Sequence, residues 1–242
     1  MKNNILLLAG IALFAFTGCE KETTGGLSKV TNYPLMEVAG PTTVYLEAGT
    51  AYTDPGVTAT ENGQDIPVVT TSGLGTYRGE SFDVNVPDKY TLTYTSTNQD
   101  GFDGVKARTL WVYKTGDLVN SIEGLYNATV VRNGSSGASY TSMKHVLIWK
   151  NADGTYELSC GIGSYYETGR RYGINYIAPG AVITANSIAG NDFVLPTFSV
   201  RSFGGVCEMT SMSVDAANKT ISFSTDWDAG YTFEVELKQV QP

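Results

Sequence analysis

Gly163 to Tyr176 packs four tyrosines, two arginines and three glycines into 14 residues that otherwise read as a loop. A tyrosine offers a flat apolar ring with a hydroxyl at its tip, and an arginine offers a planar fork of donors that also stacks on rings. Together these suit the C–H faces and hydroxyl rims of a sugar. They are also the residue types that dominate protein interfaces. Tyr165, Tyr166, Arg170, Arg171 and Tyr172 are therefore candidate ligand contacts. Trp227, between Asp226 and Asp228, reads as a hairpin tip and a second stacking platform. The competing reading has the tyrosines covering the mouth of a β domain and Trp227 folding back over its end.

Other chemistry finds less support. The one histidine, His145, has no acid or nucleophile pattern around it and reads as a packed strand residue. Glu157, Glu167, Asp226 and Asp228 could pair as glycosidase carboxyls only if space brings them together, and sequence spacing does not decide that. Asp100-Gly101-Phe102-Asp103-Gly104 lacks EF-hand spacing and reads as a turn. No catalytic residue, metal site or cofactor is expected, and the chain reads as a non-enzyme. Cys160 and Cys207 form an even pair that permits a disulfide in an oxidising compartment; buried free thiols are the equal alternative.

Composition sets outer limits. Twenty-four acidic residues against 16 basic ones leave a net charge of −8, which disfavours a nucleic-acid partner. Gly is abundant and Tyr numbers 15. That balance favours strands and turns, and no segment has convincing helical periodicity.

The elements that would position these residues are strands. Tyr90, Leu92 and Tyr94 alternate with Thr91, Thr93 and Thr95. Lys106–Lys114 closes that unit, and Trp111 reads as part of its core. Asp54-Pro55-Gly56 and Asn62-Gly63 mark turns, the second suited to a tight hairpin. After a short linker at Thr115-Gly116-Asp117, strands recur at Gly124–Val130, Tyr140–Trp149, Thr155–Cys160, Ile221–Thr225 and Tyr231–Leu237. His145, Leu147 and Trp149 share one face. The fold class is all-β: a first sandwich at 33–114, then at 118–242 a second antiparallel β-sandwich or small β-barrel. An open barrel interior would admit an apolar ligand.

The N-terminus carries a separate signal. Ile5–Phe16 is an uncharged apolar run of 12 residues behind Lys2, too short to span a bilayer and suited to a signal-peptide core. Phe16-Thr17-Gly18-Cys19 resembles the lipobox of bacterial lipoproteins. The resemblance implies removal of residues 1–18, acylation of Cys19 and a tether over 19–32. Glu20-Lys21-Glu22 resembles the export signal of surface lipoproteins of the Bacteroidota. The expected location is the outer membrane, anchored by lipid and facing the exterior, with a periplasmic face as the alternative.

Tyr45 to Ala59, with its Asp54-Pro55-Gly56-Val57, resembles the bacterial surface immunoglobulin-like domain. Tyr90…Tyr94, Asn98…Gly104 and Arg108-Thr109-Leu110-Trp111-Val112 follow in that family's order, over about residues 36–114. Lys89 stands where the family usually has Gly. The resemblance implies a spacer or adhesive module without catalytic residues. The second half is similar in pattern to the C-terminal β domain of uncharacterised Bacteroidota lipoproteins that often accompany polysaccharide uptake. The implied function is an accessory glycan- or partner-binding lipoprotein, with polysaccharide or an outer-membrane uptake complex as partner. The alternative is a structural or adhesive lipoprotein with no small-molecule ligand.

Overall fold

The computed structural model describes residues 30–240. Cys19, the apolar run before it and the first part of the tether lie outside the described residues.

The first unit has two sheets. Leu35–Val38 (β1), Val57–Glu61 (β3) and Gln64–Asp65 (β4) form one, in the order β1-β3-β4. Thr43–Glu47 (β2), Asp103–Tyr113 (β7), Asp88–Thr97 (β6) and Val69–Ser72 (β5) form the other, in the order β2-β7-β6-β5. The β2–β7 pair is parallel, with Thr43 opposite Thr109. Asn62 and Gly63 both take positive φ, at 50° and 75°, which closes the β3–β4 hairpin as the Asn-Gly pair predicts. Alternation on β6 sends Tyr90, Leu92 and Tyr94 inward to meet Met36, Leu46, Ala59, Leu110 and Val112.

The Asp-Pro-Gly turn has a physical role in this core. Arg108 on β7 is fully buried. Its Nε lies 3.1 Å from Asp54 Oδ1 and donates to the Tyr94 hydroxyl at 3.0 Å. Its remaining donors reach the backbone carbonyls of Ala39 and Pro41. Tyr52 and Tyr94 also donate to Asp54 Oδ1. A buried guanidinium is tolerable only when paired and hydrogen-bonded in this way.

The second unit is one nine-stranded antiparallel sheet. Its strands are Gly124–Arg132 (β8), Met143–Lys150 (β9), Tyr156–Leu158 (β10), Ala181–Ser187 (β11), Asp192–Val194 (β12), Thr197–Val200 (β13), Gly204–Asp215 (β14), Thr220–Trp227 (β15) and Tyr231–Gln239 (β16). Their order is β12-β11-β10-β9-β8-β16-β15-β14-β13. The two edge strands are joined by Leu195 and Pro196 alone. Val194 and Thr197 therefore cannot lie more than about 11 Å apart, so the sheet must curl until its edges approach. Of the two architectures expected, the curled sheet is the barrel-like one.

The barrel interior is filled from within the chain. Residues 159–180, between β10 and β11, lie against the inner wall. Thr225 Oγ1 donates to the Gly161 carbonyl at 2.9 Å. Gly163 takes φ +63°, and a Cβ there would meet Val235 and Val130 methyls at 2.7 and 2.8 Å. Only glycine allows the backbone this close. Cys160, Ile162, Tyr165, Ile177 and Ala178 thus join the core formed by Tyr126, Val130, Phe198, Phe223, Phe233 and Val235.

The two units meet at a third apolar cluster. Trp111 and Tyr113, with Tyr45 and Tyr77, pack on Leu125, Leu147 and Trp149. Trp111 therefore faces outward from the first sandwich and is covered by the second unit; it is not part of the sandwich core. β9 is buried on both faces, the barrel interior taking Val146 and Ile148 and the joint taking His145, Leu147 and Trp149. A continuous apolar run such as His145–Trp149 marks a strand covered on two sides.

Candidate functional site

Most of the ring-bearing candidates come together at one end of the barrel, but not as an open loop. Tyr165–Gly169 forms a single π-helical turn that buries Tyr165 and Tyr166. Trp227 is the last residue of β15 and pairs with Tyr231 across the hairpin, so the hairpin tip is Asp228-Ala229-Gly230. Its indole folds inward, buried, and donates to the Gly204 carbonyl at 3.2 Å. Of the two readings of Trp227, the structure shows the folded-back one, with the residue in the strand and not at the tip: the ring sits where the barrel core continues, and burial is its lower-energy place.

Around these three rings lies a continuous aromatic cluster. Tyr140 stacks on Tyr165 at 4.4 Å and 14°. Tyr166 contacts Tyr172, Phe203, Trp227 and Phe233. The Arg132 guanidinium lies 5.0 Å from the Tyr165 ring and 4.7 Å from the Tyr231 ring, and donates to the Tyr166 hydroxyl at 3.3 Å. Such ring pairs add about 0.5–1.5 kcal/mol each beyond area burial.

The outermost layer of the cluster faces water. Tyr172 is 44% exposed and Phe203 49% exposed. Tyr176 bridges them, with ring centroids 5.2 Å from Tyr172 and 4.9 Å from Phe203. Exposed Arg170 donates to the Tyr172 and Tyr140 hydroxyls, both at 3.3 Å. Arg171 is exposed with φ 59° and stands outside the ring cluster. Of the six residues singled out from sequence, Tyr165, Tyr166 and Trp227 form the base, Tyr172 and Arg170 form the surface, and Arg171 is apart. Tyr176 belongs to the tyrosine-rich segment without having been singled out as a contact, and Phe203, Tyr231, Tyr140 and Arg132 were not among the candidates. Phe203 carried a signal, an aromatic directly before Gly204-Gly205 in a turn.

Of the carboxyls named from sequence, Asp226 and Asp228 flank Trp227 at this end, with Asp228 beside Gly205, whereas Glu167 turns from the π-helical turn to the joint. Glu167 accepts from the Tyr77 hydroxyl at 3.3 Å and from Ser164 Oγ at 3.2 Å, which ties the π-helical turn to the first unit. Burial raises the Glu167 carboxyl above its usual range. Asp88, also raised by burial, accepts the backbone N–H groups of Tyr77, Arg78 and Lys89 and so fixes the loop bearing Tyr77. Glu234 and Glu236 line a wide depression of about 470 Å³ on the outer face of β8 and β14–β16, with Thr129, Ser211, Ser222 and Ser224. Phe223, whose side chain belongs to the barrel core, is the one aromatic residue in its lining.

Cys160 and Cys207 are both buried free thiols, the second of the two states open from sequence. Burial pushes the Cys160 thiol up to about 11 and that of Cys207 to about 12. No group of three or more His, Cys, Asp or Glu that could hold a metal occurs among the described residues. Among the described residues no helix is long and apolar enough to cross a membrane.

The chain is an immunoglobulin-like sandwich joined to a curled β-sheet with an aromatic end. A family profile described as "Bacterial surface protein, Ig-like domain" matches residues 36–112. A second, described as a "-like, C-terminal domain", matches residues 115–239, more than half of the chain, and the chain belongs to that family. Among solved structures, the lipoprotein BT2262 from Bacteroides thetaiotaomicron is 25% identical with a TM-score of 0.64, over 86% of this chain and 100% of that one. No curated protein matches. Both likenesses fit a surface lipoprotein, and neither family is one of known enzymes.

Proposed function

We propose that this chain is a surface lipoprotein, acylated at Cys19 and held on the outer membrane facing the exterior, that binds saccharide through the aromatic end of its second domain. The observation that carries the reading is the row Tyr172–Tyr176–Phe203, exposed at its two outer rings and half-buried at Tyr176, with the Arg170 fork beside it. Rings spaced by about 5 Å offer successive apolar faces to a chain of sugar rings, and the hydroxyls and guanidinium offer donors at the rim. An accessory role in nutrient capture, alongside an outer-membrane uptake complex, follows from such a surface held away from the bilayer.

The role is non-catalytic. A glycosidase acid needs a carboxyl raised by a dry pocket beside its substrate. The buried, raised carboxyls Asp88 and Glu167 are instead engaged in the joint between the units.

Glycan-array binding followed by titration calorimetry tests the proposal. Tyr172→Ala with Phe203→Ala is expected to weaken polysaccharide binding at least tenfold; the lost ring contacts lower the melting temperature, so binding is measured well below it, on protein shown to be folded by circular dichroism. Unchanged affinity in that variant would refute the site. A second reading, a structural or adhesive lipoprotein with no small-molecule ligand, draws on the burial of Tyr165, Tyr166 and Trp227 as core packing. A parent protein that binds no glycan on the array would favour it.

A further inference from the structure

We infer that the pole of the immunoglobulin-like domain opposite the joint is a seat on the lipid surface. The inference rests on the lipid-anchor reading above and adds a second contact to it.

Exposed apolar side chains gather at that pole. Tyr33 is 64% exposed and Phe102 46% exposed, with their rings 5.5 Å apart. Val30, Leu35 and Val105 are exposed near them. The grouping follows from backbone packing: the Asn98 side chain donates to the Asn32 carbonyl at 2.8 Å, and a Cβ on Gly104 would touch Pro34 at 2.9 Å. The start of β1 therefore lies along the start of β7. From Val105 to Trp111 the chain runs about 20 Å along β7, so the patch and the joint occupy opposite ends of the sandwich.

A lipid surface is the occupant this pole fits. The chain enters the domain here, and Val30 is only eleven positions after Cys19. Fully extended that stretch reaches at most about 40 Å, so an acylated Cys19 keeps this pole, rather than the aromatic end of the barrel, beside the bilayer. Tyrosine and phenylalanine on an otherwise weakly charged surface are suited to the headgroup boundary. Asp100, Asp103 and Lys106 are the charges in the same turn and strand apart from the buried Arg108. With acid in excess, the seat favours neutral lipid over anionic lipid.

The test uses the acylated full-length chain reconstituted in phosphatidylcholine vesicles, with and without brominated acyl chains. Phe102→Trp and Phe203→Trp variants each add one indole, and their signals are read against the parent, whose three tryptophans are buried. Brominated lipid is expected to quench the indole of the Phe102→Trp variant at least twofold more than that of the Phe203→Trp variant. Adding Tyr33→Ser and Leu35→Ser should remove the difference, and phosphatidylglycerol should reduce it. Equal quenching in the two variants, with acylation intact by mass spectrometry, would overturn the seat and leave the anchor standing. A concentration-dependent dimer without bromine quenching would assign the patch to a second copy and overturn it likewise. A mass without acyl chains at Cys19 would overturn both anchor and seat.

Discussion

The Tyr45 hydroxyl lies 3.0 Å from Nε2 of His145, joining side chains one hundred positions apart across the junction of the two domains. The imidazole also meets the Tyr45 and Trp111 rings edge-on, at 5.5 and 5.2 Å. Burial, reinforced by Lys144 and Lys89, lowers its pKa to about 4. The ring is therefore neutral at pH 7 and shares one hydrogen bond, through Nε2, with the Tyr45 hydroxyl.

A pH dependence follows. An unfolded histidine titrates near 6.5, so the unfolded chain binds this proton more readily than the folded one. The contribution to stability is complete above about pH 6.5, falls as pH drops toward 4, and levels off below that. After allowance for solvent screening, the loss is about 2 kcal/mol. Urea unfolding from pH 7 to pH 4 should show this loss in the parent and not in His145→Gln. Parallel stability curves for the two proteins would contradict it.

The joint should make the two domains unfold together. Trp111 belongs to the first domain by sequence but fills the contact with Leu125, Leu147 and Trp149. Lys89 lies 5.3 Å over its ring, and Lys114 pairs with Glu123 across the same junction at 3.1 Å. Trp111→Ala should cost about 3–5 kcal/mol. Calorimetry of the parent should give one transition, and the variant should give two. A single transition in both would show that coupling lies elsewhere.

Removing the partner of the buried guanidinium should be costly. Asp54→Ala leaves Arg108 charged inside the first domain with only neutral acceptors. Breaking a buried pair from one side costs about 3–5 kcal/mol. Thermal unfolding would measure it, and an effect below about 1 kcal/mol would mean that water reaches the arginine.

The thiols give a chemical check on the barrel core. With Cys160 and Cys207 buried and their thiols raised, the native protein should resist alkylation at neutral pH. In urea, without reductant, both should react. Denatured protein that takes up no label at these positions would show that they are joined instead.

The first domain was legible because its motif residues do physical work that sequence exposes. Asp54, Tyr94 and Arg108 are one network, and Asn62-Gly63 is a turn that few other pairs could make. The second domain was legible as strands, with sandwich and barrel both open, because alternation reports faces and not neighbours. The Leu195-Pro196 connection held that information, since two residues cannot link distant edges. Trp111 was misplaced for a related reason. Its alternation with Leu110 and Val112 put it outside the sandwich, and only a second domain explains its burial. Tyr165 and Tyr166 looked like loop residues because polar neighbours surround them; Gly161 and Gly163, which let the backbone enter the barrel, were the overlooked cue.

The strand order also governs when this protein can fold. β16, the last strand in sequence, lies in the middle of the nine-stranded sheet, with Val235 opposite Val130 on one side and Phe223 on the other. Until β16 is present, β8 and β15 have no shared partner and the sheet is two separate pieces. Pairing across more than a hundred positions is slow, because a long loop must close before any contact rewards it. The nine strands therefore cannot become one sheet before β16 has been added, however early the two pieces on either side of it pair up.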